Sequence, residues 1–367
     1  MVGPLRGALI GYGFIAESGH RPEYQRRAET EIRAVADVSP ERRAAAARAF
    51  PGARMYRDHL TLLEHEASRL DFVDITAPPY AHAEIARAAL LQGLHVLCEK
   101  PLAVSAEEAR SMAEQAKSAR RVLFPCHNYR HAPVVEEVRR ILASDAIGPV
   151  HLVTLQTFRT THARGVSGWR PDWRRDRKFA GGGIAMDHGS HTFYLAFEWL
   201  RSYPTSVTAK LGTLGAYDTE DNLSCTLTFP TGIATAHLTW TAGARKVLYT
   251  LHGARGAIIV DDDTISLHRS DNGRSQLVST KLAASQWMDA SHKEWFGRLF
   301  DEFREAIRVG AFVSEHTVDA IKCIETIGAA YASARRNSRE VEIGDPERER
   351  PREQGFRAAQ TRLVAGT

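Results

Sequence analysis

Leu5, Ala8, Leu9 and Ile10 form an apolar strand that runs straight into Gly11-Tyr-Gly-Phe-Ile-Ala16. A strand that meets G-x-G-x-x-A and then a helix has few ways to fold. Gly11 permits the tight turn and Gly13 lets the backbone approach a pyrophosphate, while small Ala16 allows the helix to pack close to the strand with its N-terminus facing the anion. A second apolar strand, Ile32 to Asp37, ends in an acid about twenty residues further on, where a carboxylate accepts hydrogen bonds from the adenosine ribose hydroxyls. The stretch reads as a dinucleotide-binding turn. Asp37 favours NAD, because a carboxylate repels a 2′-phosphate. Ser39, Arg42 and Arg43 nearby keep NADP as the alternative.

The following residues continue the alternation of strand and helix. Ser39 and Pro40 start a helix that Pro51-Gly52 stops. Asp71 to Thr76 is a strand that ends in Ala77-Pro-Pro-Tyr-Ala-His82, and Leu94 to Cys98 is a strand that ends in Glu99-Lys100-Pro101. Ser105 with Glu108 makes a capping box, and Val122 to Cys126 is the sixth strand. This order predicts a doubly wound parallel sheet, whose carboxyl-edge loops hold ligands. Lys100 beside Glu99 would ordinarily be a surface ion pair of little consequence. Its place between an apolar strand and a proline, at the ligand edge, argues for a fixed ammonium near the nicotinamide. For His82, a helix cap and a cofactor contact both stay open.

From His127 the pattern changes, which divides the chain into residues 1–126, 127–344 and 345–367. Arg159 to Lys178 is a long loop with Trp169, Trp173 and the arginines 164, 170, 174, 175 and 177. It reads either as a lid over a polyhydroxylated, anionic or nucleotide-linked substrate, or as a solvated loop or subunit contact. Gly181-Gly-Gly-Ile-Ala-Met-Asp187-His-Gly-Ser-His191 opens a helix expected to run to about Leu200. Asp187 and His191 are four apart and share a face, where a carboxylate can orient an imidazole. Alcohol oxidation needs such a base, because the hydroxyl proton leaves as hydride departs from the same carbon. The plainer account is a dipole-satisfying Asp and a core His. His188 lies about 100° away on a helix, which disfavours a zinc site, and no metal is expected.

Further on, Leu223, Cys225, Leu227 and Phe229 alternate with Ser224, Thr226 and Thr228, and Ala234 to Trp240 repeat the pattern. Strands near Lys246–His252 and Ala257–Val260 join them in a sheet expected to be largely antiparallel. Its polar face is threonine-rich and nearly free of Lys and Glu, which predicts association with another subunit as a homodimer or homotetramer. Helices near His292–Val309 and Glu315–Arg336 and a strand Val341–Ile343 follow. The tail from Asp345 is charged and poor in core-forming residues, so a mobile segment is expected, with Phe356, Ala359 and Leu363 as one weak apolar face. The predicted fold is α/β: an N-terminal Rossmann domain, then an α+β domain with a large, mostly antiparallel open sheet.

The turn at Gly11, the Pro79-to-His82 loop, Glu99-Lys100-Pro101, Asn128-Tyr129-Arg130 and the G-G-G-x-x-x-D-x-G-x-H stretch together resemble the Gfo/Idh/MocA family, the glucose-fructose oxidoreductase and inositol dehydrogenase group. The resemblance extends to about Ile343. It implies an NAD(P)-dependent oxidoreductase of a sugar or cyclitol, with Lys100, Asp187 and His191 catalytic. The cofactor-facing set on this reading is Gly11, Tyr12, Gly13, Phe14, Ile15, Asp37, Thr76, Pro78, Pro79, His82, Glu99, Lys100 and Asn128. The substrate-facing set is Lys100, Tyr129, Arg130, Trp169, Arg170, Asp187, His188 and His191. Some relatives use NAD transiently as glycosidases, and some are non-catalytic sugar sensors. A sensor has no need of the proton-transfer pair.

Other classes find little support. The balance of 48 Lys plus Arg against 44 Asp plus Glu leaves +4, with no like-charge block to track a nucleic-acid backbone. Four scattered cysteines, 98, 126, 225 and 323, read as buried free thiols. No signal-peptide core or membrane-spanning run is evident, which points to the cytoplasm.

Overall fold

The computed structural model describes residues 3–215, 217–271, 274–283 and 292–344. The tail, with Phe356, Ala359 and Leu363, lies outside the described residues. The first sheet contains β1 (Leu5–Ile10), β2 (Thr30–Ala36), β3 (Arg54–Tyr56), β4 (Phe72–Ile75), β5 (His95–Cys98) and β6 (Leu123–Pro125). All its pairings are parallel, in the order β3-β2-β1-β4-β5-β6. The order reverses between β1 and β4, which opens a crevice at their carboxyl ends. Helices α1 (Arg21–Arg26), α2 (Pro40–Ala49), α3 (His59–Glu66), α4 (His82–Leu91) and α5 (Ala106–Ala119) connect the strands. Ser39 and Ser105 cap α2 and α5 by accepting the N–H of Arg42 and Glu108.

Beyond α6 (Pro133–Ala143), the second sheet takes its strands from β7 (Val150–Phe158), β8 (Ser206–Gly212), β9 (Asn222–Phe229), β10 (Gly232–Thr239), β11 (Lys246–Gly253), β12 (Gly256–Asp261), β13 (Thr264–Asp271), β14 (Arg274–Leu282) and β15 (Val341–Glu342). Their order is β14-β13-β12-β11-β7-β10-β9-β8-β15. Among the described residues its pairings are antiparallel except β7 with β10. Leu223, Cys225, Leu227 and Phe229 are buried while Ser224, Thr226 and Thr228 are exposed, so the period-2 pattern sets which face meets the helices. After α7 (Arg177–Ala180), α8 (Ile184–Asp187) and α9 (Gly189–Leu200) lie against the buried face, and every residue of α9 is buried. The other face leaves Leu152 and Ile233 exposed among threonines.

The strands divide between residues 125 and 150, but the helices do not follow that division. In α10 (Phe296–Val309), Phe296, Leu299, Phe300 and Phe303 recur at helical spacing and pack on Leu9, Phe72 and Phe124 of the first sheet. In α11 (Glu315–Arg335), Ala320 and Ile324 belong to the first core, and Cys323, Ile327 and Ala330 to the second. One 21-residue helix therefore ties the two cores together. All four cysteines are free and buried, and no helix among the described residues is long and apolar enough to cross a membrane.

Candidate active site

Gly11 ends β1 with φ at +92°, and a Cβ there would lie 2.6 Å from the backbone nitrogen of Ala77. Only glycine fits against the strand-end loop of β4. Thr76 fastens that loop, its N–H donating to the Ile10 carbonyl at 2.9 Å. A Cβ on Gly13 would meet nothing within 4 Å, so the space over the turn is open for a ligand. Asp37 stands at the end of β2, its Oδ2 accepting the Tyr12 N–H at 2.7 Å and its Oδ1 the Ser39 N–H at 2.8 Å. The cations near it are spent. Arg42 donates to the Tyr12 carbonyl at 2.7 Å and to Glu17 at 2.5 Å, and Arg43 donates to the Asp37 carbonyl at 2.7 Å. An open turn at a helix start with an acid at the second strand's end suits a dinucleotide whose ribose carries no 2′-phosphate.

After the turn the chain makes one wide π-helical turn over Ala16–His20, a local geometry frequent at functional sites. It drives His20 into the sheet edge. His20 is fully buried, with Nδ1 2.7 Å from Asp74 Oδ2 and Nε2 3.1 Å from Glu99 Oε1, and the Tyr24 hydroxyl donates to the same Asp74 oxygen at 2.7 Å. Burial alone would lower the imidazole, but the two carboxylates push it up to about 10. A charge held this way fixes Glu99, whose Oε2 accepts the Lys100 N–H at 3.0 Å. Sequence reasoning missed this group, yet Asp74 within an apolar parallel strand was a signal, because a buried carboxylate requires a partner. His20, Glu99 and Cys126 also approach one another within 4.8 Å. Both ring nitrogens of His20 are already engaged by carboxylates, so the arrangement reads as a hydrogen-bonded cluster and not as a metal site.

Lys100 reaches across to the second domain. Its Nζ donates to Asp187 Oδ1 at 2.8 Å and to the Asp187 carbonyl at 3.0 Å. The other Asp187 oxygen faces His188 Nδ1 at 3.3 Å and Arg174 Nε at 3.6 Å. Burial would raise this carboxyl, but Lys100, Arg174 and His188 hold it well below the usual range. The expected pairing of Asp187 with His191 is not what the structure shows. The segment runs as α8 and α9 with His188 between them, and although both side chains line the same cleft, no hydrogen bond joins them. His191 instead stacks on Tyr129, centroids 3.8 Å apart, and its Nδ1 is 3.2 Å from the Tyr194 hydroxyl. Burial first, then the charges of Lys100 and His188, push His191 well below its ordinary value. The turn bearing Asp187 is held from outside by Glu220, whose Oε1 accepts the N–H groups of Gly183 and Ala185 at 2.9 and 3.1 Å and the Tyr331 hydroxyl at 2.8 Å.

A single cleft of about 800 Å³ joins these groups. Gly11, Gly13, Phe14, Ile15, Asp37, Thr76, Pro78, Pro79 and Glu99 line one end, and Lys100, Asn128, Tyr129, Trp169, Asp187, His188 and His191 continue the wall. Four expected residues present no side chain there. Tyr12 is fully buried. His82 is buried with its nitrogens 2.8 Å from the Pro101 carbonyl and 2.7 Å from that of Ala77, so it ties two strand-end loops together. Arg130 is held in a buried ion network by Asp319 and Glu198, and Arg170 lies over the Phe179 ring at 4.6 Å.

The loop from Arg159 to Lys178 folds over the cleft, with residues 160 to 166 and Trp173 and Arg174 in its lining. Its far end leans on the first domain, where the Ser167 hydroxyl is 3.4 Å from Glu41. Most of its arginines are engaged: Arg164 with Asp172 at 3.1 Å, Arg175 with Asp221 at 3.7 Å and Arg177 with the Asp218 carbonyl at 2.9 Å. Arg159 and Arg245, which the sequence reading did not single out, also face the cleft.

Residues 5–127 match the model of an oxidoreductase family with an NAD-binding Rossmann fold, and residues 135–259 match the GFO/IDH/MocA C-terminal domain. The chain is 29% identical over 245 residues to the D-glucoside 3-dehydrogenase of Escherichia coli, spanning 62% of this chain and 68% of that one. It is 28% identical over 358 residues to the D-apiose dehydrogenase of Paraburkholderia graminis, spanning 95% and 92%. Among solved structures, levoglucosan dehydrogenase in complex with NADH superposes with a TM-score of 0.80 at 23% identity, covering 93% of this chain and 100% of that one. The last is a likeness of fold.

Proposed function

The chain belongs to the Gfo/Idh/MocA oxidoreductase family, and from that premise we propose that it oxidises a hydroxyl of a sugar or cyclitol with NAD, using Lys100, Asp187 and His191. The observation that carries this reading is the Lys100–Asp187 contact of 2.8 Å, made across the mouth of the dinucleotide cleft with His191 on the same wall. We divide the labour between residues 1–126 for cofactor and 127–344 for substrate, with α10 and α11 returning to brace the first sheet. Gly11 to Ile15, Asp37, Thr76 and Glu99 would hold NAD, which when bound accepts hydride from the carbinol carbon.

The residues do the rest. Asp187 aims Lys100, so that its ammonium hydrogen-bonds the reacting oxygen and stabilises the negative charge that develops there. With Nδ1–H donating to the Tyr194 oxygen, His191 keeps its Nε2 lone pair for the hydroxyl proton. The depressed basicity of His191 leaves it neutral at pH 7, as a base must be.

The test is absorbance at the reduced-nicotinamide band with NAD, and separately NADP, over inositols, free aldoses, and uronic and phosphorylated sugars. NADH should accumulate, and because Asp37 repels a 2′-phosphate while Arg42 and Arg43 are engaged, kcat/KM for NAD should exceed that for NADP roughly 100-fold. Absence of NADH with every sugar, alongside tight NAD binding by calorimetry, would overturn the dehydrogenase reading. The threonine-rich face with exposed Leu152 and Ile233 supports a homodimer or homotetramer formed through the second sheet. Light scattering should give a multiple of the 40.7 kDa chain, and a monomer would remove that assignment. We place the enzyme in the cytoplasm.

A further inference from the structure

Arg159 follows β7 directly and Arg245 precedes β11. The last pair in the ladder between these strands is Phe158 with Lys246, so continuing the antiparallel register sets Arg245 opposite Arg159. Like charges directly opposite on neighbouring strands destabilise a fold. Among the described residues neither guanidinium has a carboxylate within ion-pair distance, and buried N–H groups of both, Arg159 Nη2 and Arg245 Nε, lack a hydrogen-bond partner. Arg159 is 8% exposed, and its one side-chain bond is to the Phe158 carbonyl at 3.2 Å. The nearest acid to influence Arg245, Asp262, is already taken by the Lys246 ammonium at 2.9 Å and the Val247 N–H at 2.8 Å.

Both arginines line the cleft, and Trp240 Nε1 in the same wall is a further buried nitrogen without a hydrogen-bond partner among the described residues. Buried donors without acceptors are costly, and two adjacent cations doubly so, unless a ligand brings oxygen atoms and negative charge. The pair lies at the end of the β7–β11 ladder of the second sheet, near His188, and not on the turn at Gly13 that would take the dinucleotide pyrophosphate.

We propose that the substrate is an anionic sugar whose carboxylate or phosphate group is held by Arg159 and Arg245 while Lys100 and His191 act on a hydroxyl of the same molecule. This rests on the dehydrogenase reading for the hydroxyl chemistry, but the anion site stands on its own geometry. Guanidinium forks match the planar oxygens of a carboxylate and the triad of a phosphate, and charge-assisted bonds of this kind are about twice as strong as neutral ones.

The experiment uses the full chain with NADH bound and three ligands that differ at one carbon: D-glucose, D-glucuronate and D-glucose 6-phosphate. Calorimetry should show one or both anions binding at least about tenfold more tightly than glucose, with the better one naming carboxylate or phosphate. In Arg159→Met and Arg245→Met that advantage should shrink below about threefold. Ligand-free Arg245→Met should melt no lower than the native protein, because it loses a like-charge neighbour and no bond, so weaker binding would not be a folding defect. Equal binding of all three sugars, or variants that keep the preference, would overturn the proposal. Turnover with NAD separates the two readings. NADH formed equally from glucose, with no preference in binding, keeps the dehydrogenase and discards the anion site; tight glucuronate or phosphate binding without NADH keeps the anion site and discards the dehydrogenase.

Discussion

Lys100→Met is expected to lower kcat about 10³-fold, the effect of removing a charge aimed at a developing oxyanion, while leaving NADH affinity within about threefold of the native value. Methionine keeps the length and the apolar stem of lysine, so the wall of the cleft stays in place. What it removes is the ammonium that bonds Asp187 Oδ1 at 2.8 Å. Asp187 then keeps Arg174, 3.6 Å from its other oxygen, and His188 at 3.3 Å, and so remains partly compensated. The dinucleotide turn at Gly11, and Asp37 with its two backbone bonds, are untouched by the change. Fluorescence titration of NADH against steady-state rates separates the two effects. A variant that kept more than about a tenth of its activity would show that no essential charge resides at Lys100.

How much of this was legible beforehand depends on the range of each interaction. The turn from Gly11 to Ala16 and the strand-helix alternation are local, so residues a few positions apart carry the pattern, and the first sheet followed. Lys100, Asp187 and His191 are each marked by a short motif at a strand or helix end, and the structure brings all three to one cleft. Asp187 and His191 reach one cleft, but no hydrogen bond links them, because the Asp187 oxygens are taken by Lys100 on one side and by His188 and Arg174 on the other, partners that a spacing of four does not announce. Arg130 and His82 are polar residues near a ligand edge that find partners from distant segments, Asp319 and Pro101, and no local pattern announces such pairings. The same holds for Arg159 and Arg245, which meet only because β7 and β11 are neighbours in the second sheet. Register across 86 residues of chain is a tertiary fact.

The second large effect concerns His191. His191→Ala should lower kcat about 10²- to 10⁴-fold, the usual contribution of a positioned base. The pH dependence carries more information than the magnitude. A base must be deprotonated to act, so kcat/KM falls on the acid side through its pKa in the free enzyme. Burial and the nearby Lys100 ammonium disfavour the imidazolium, which puts that limb below the ordinary histidine value of about 6.5. The enzyme should therefore hold its kcat/KM as pH drops from 8 to about 6.5 and lose it only in more acidic solution. In His191→Ala the residual rate should lack this limb and rise with hydroxide instead, because solvent then takes the proton. A native acid limb centred above about 6.5 would mean that the titrating base is not this buried, cation-flanked imidazole, and the stack on Tyr129 with the 3.2 Å bond to Tyr194 would then be a feature of packing alone.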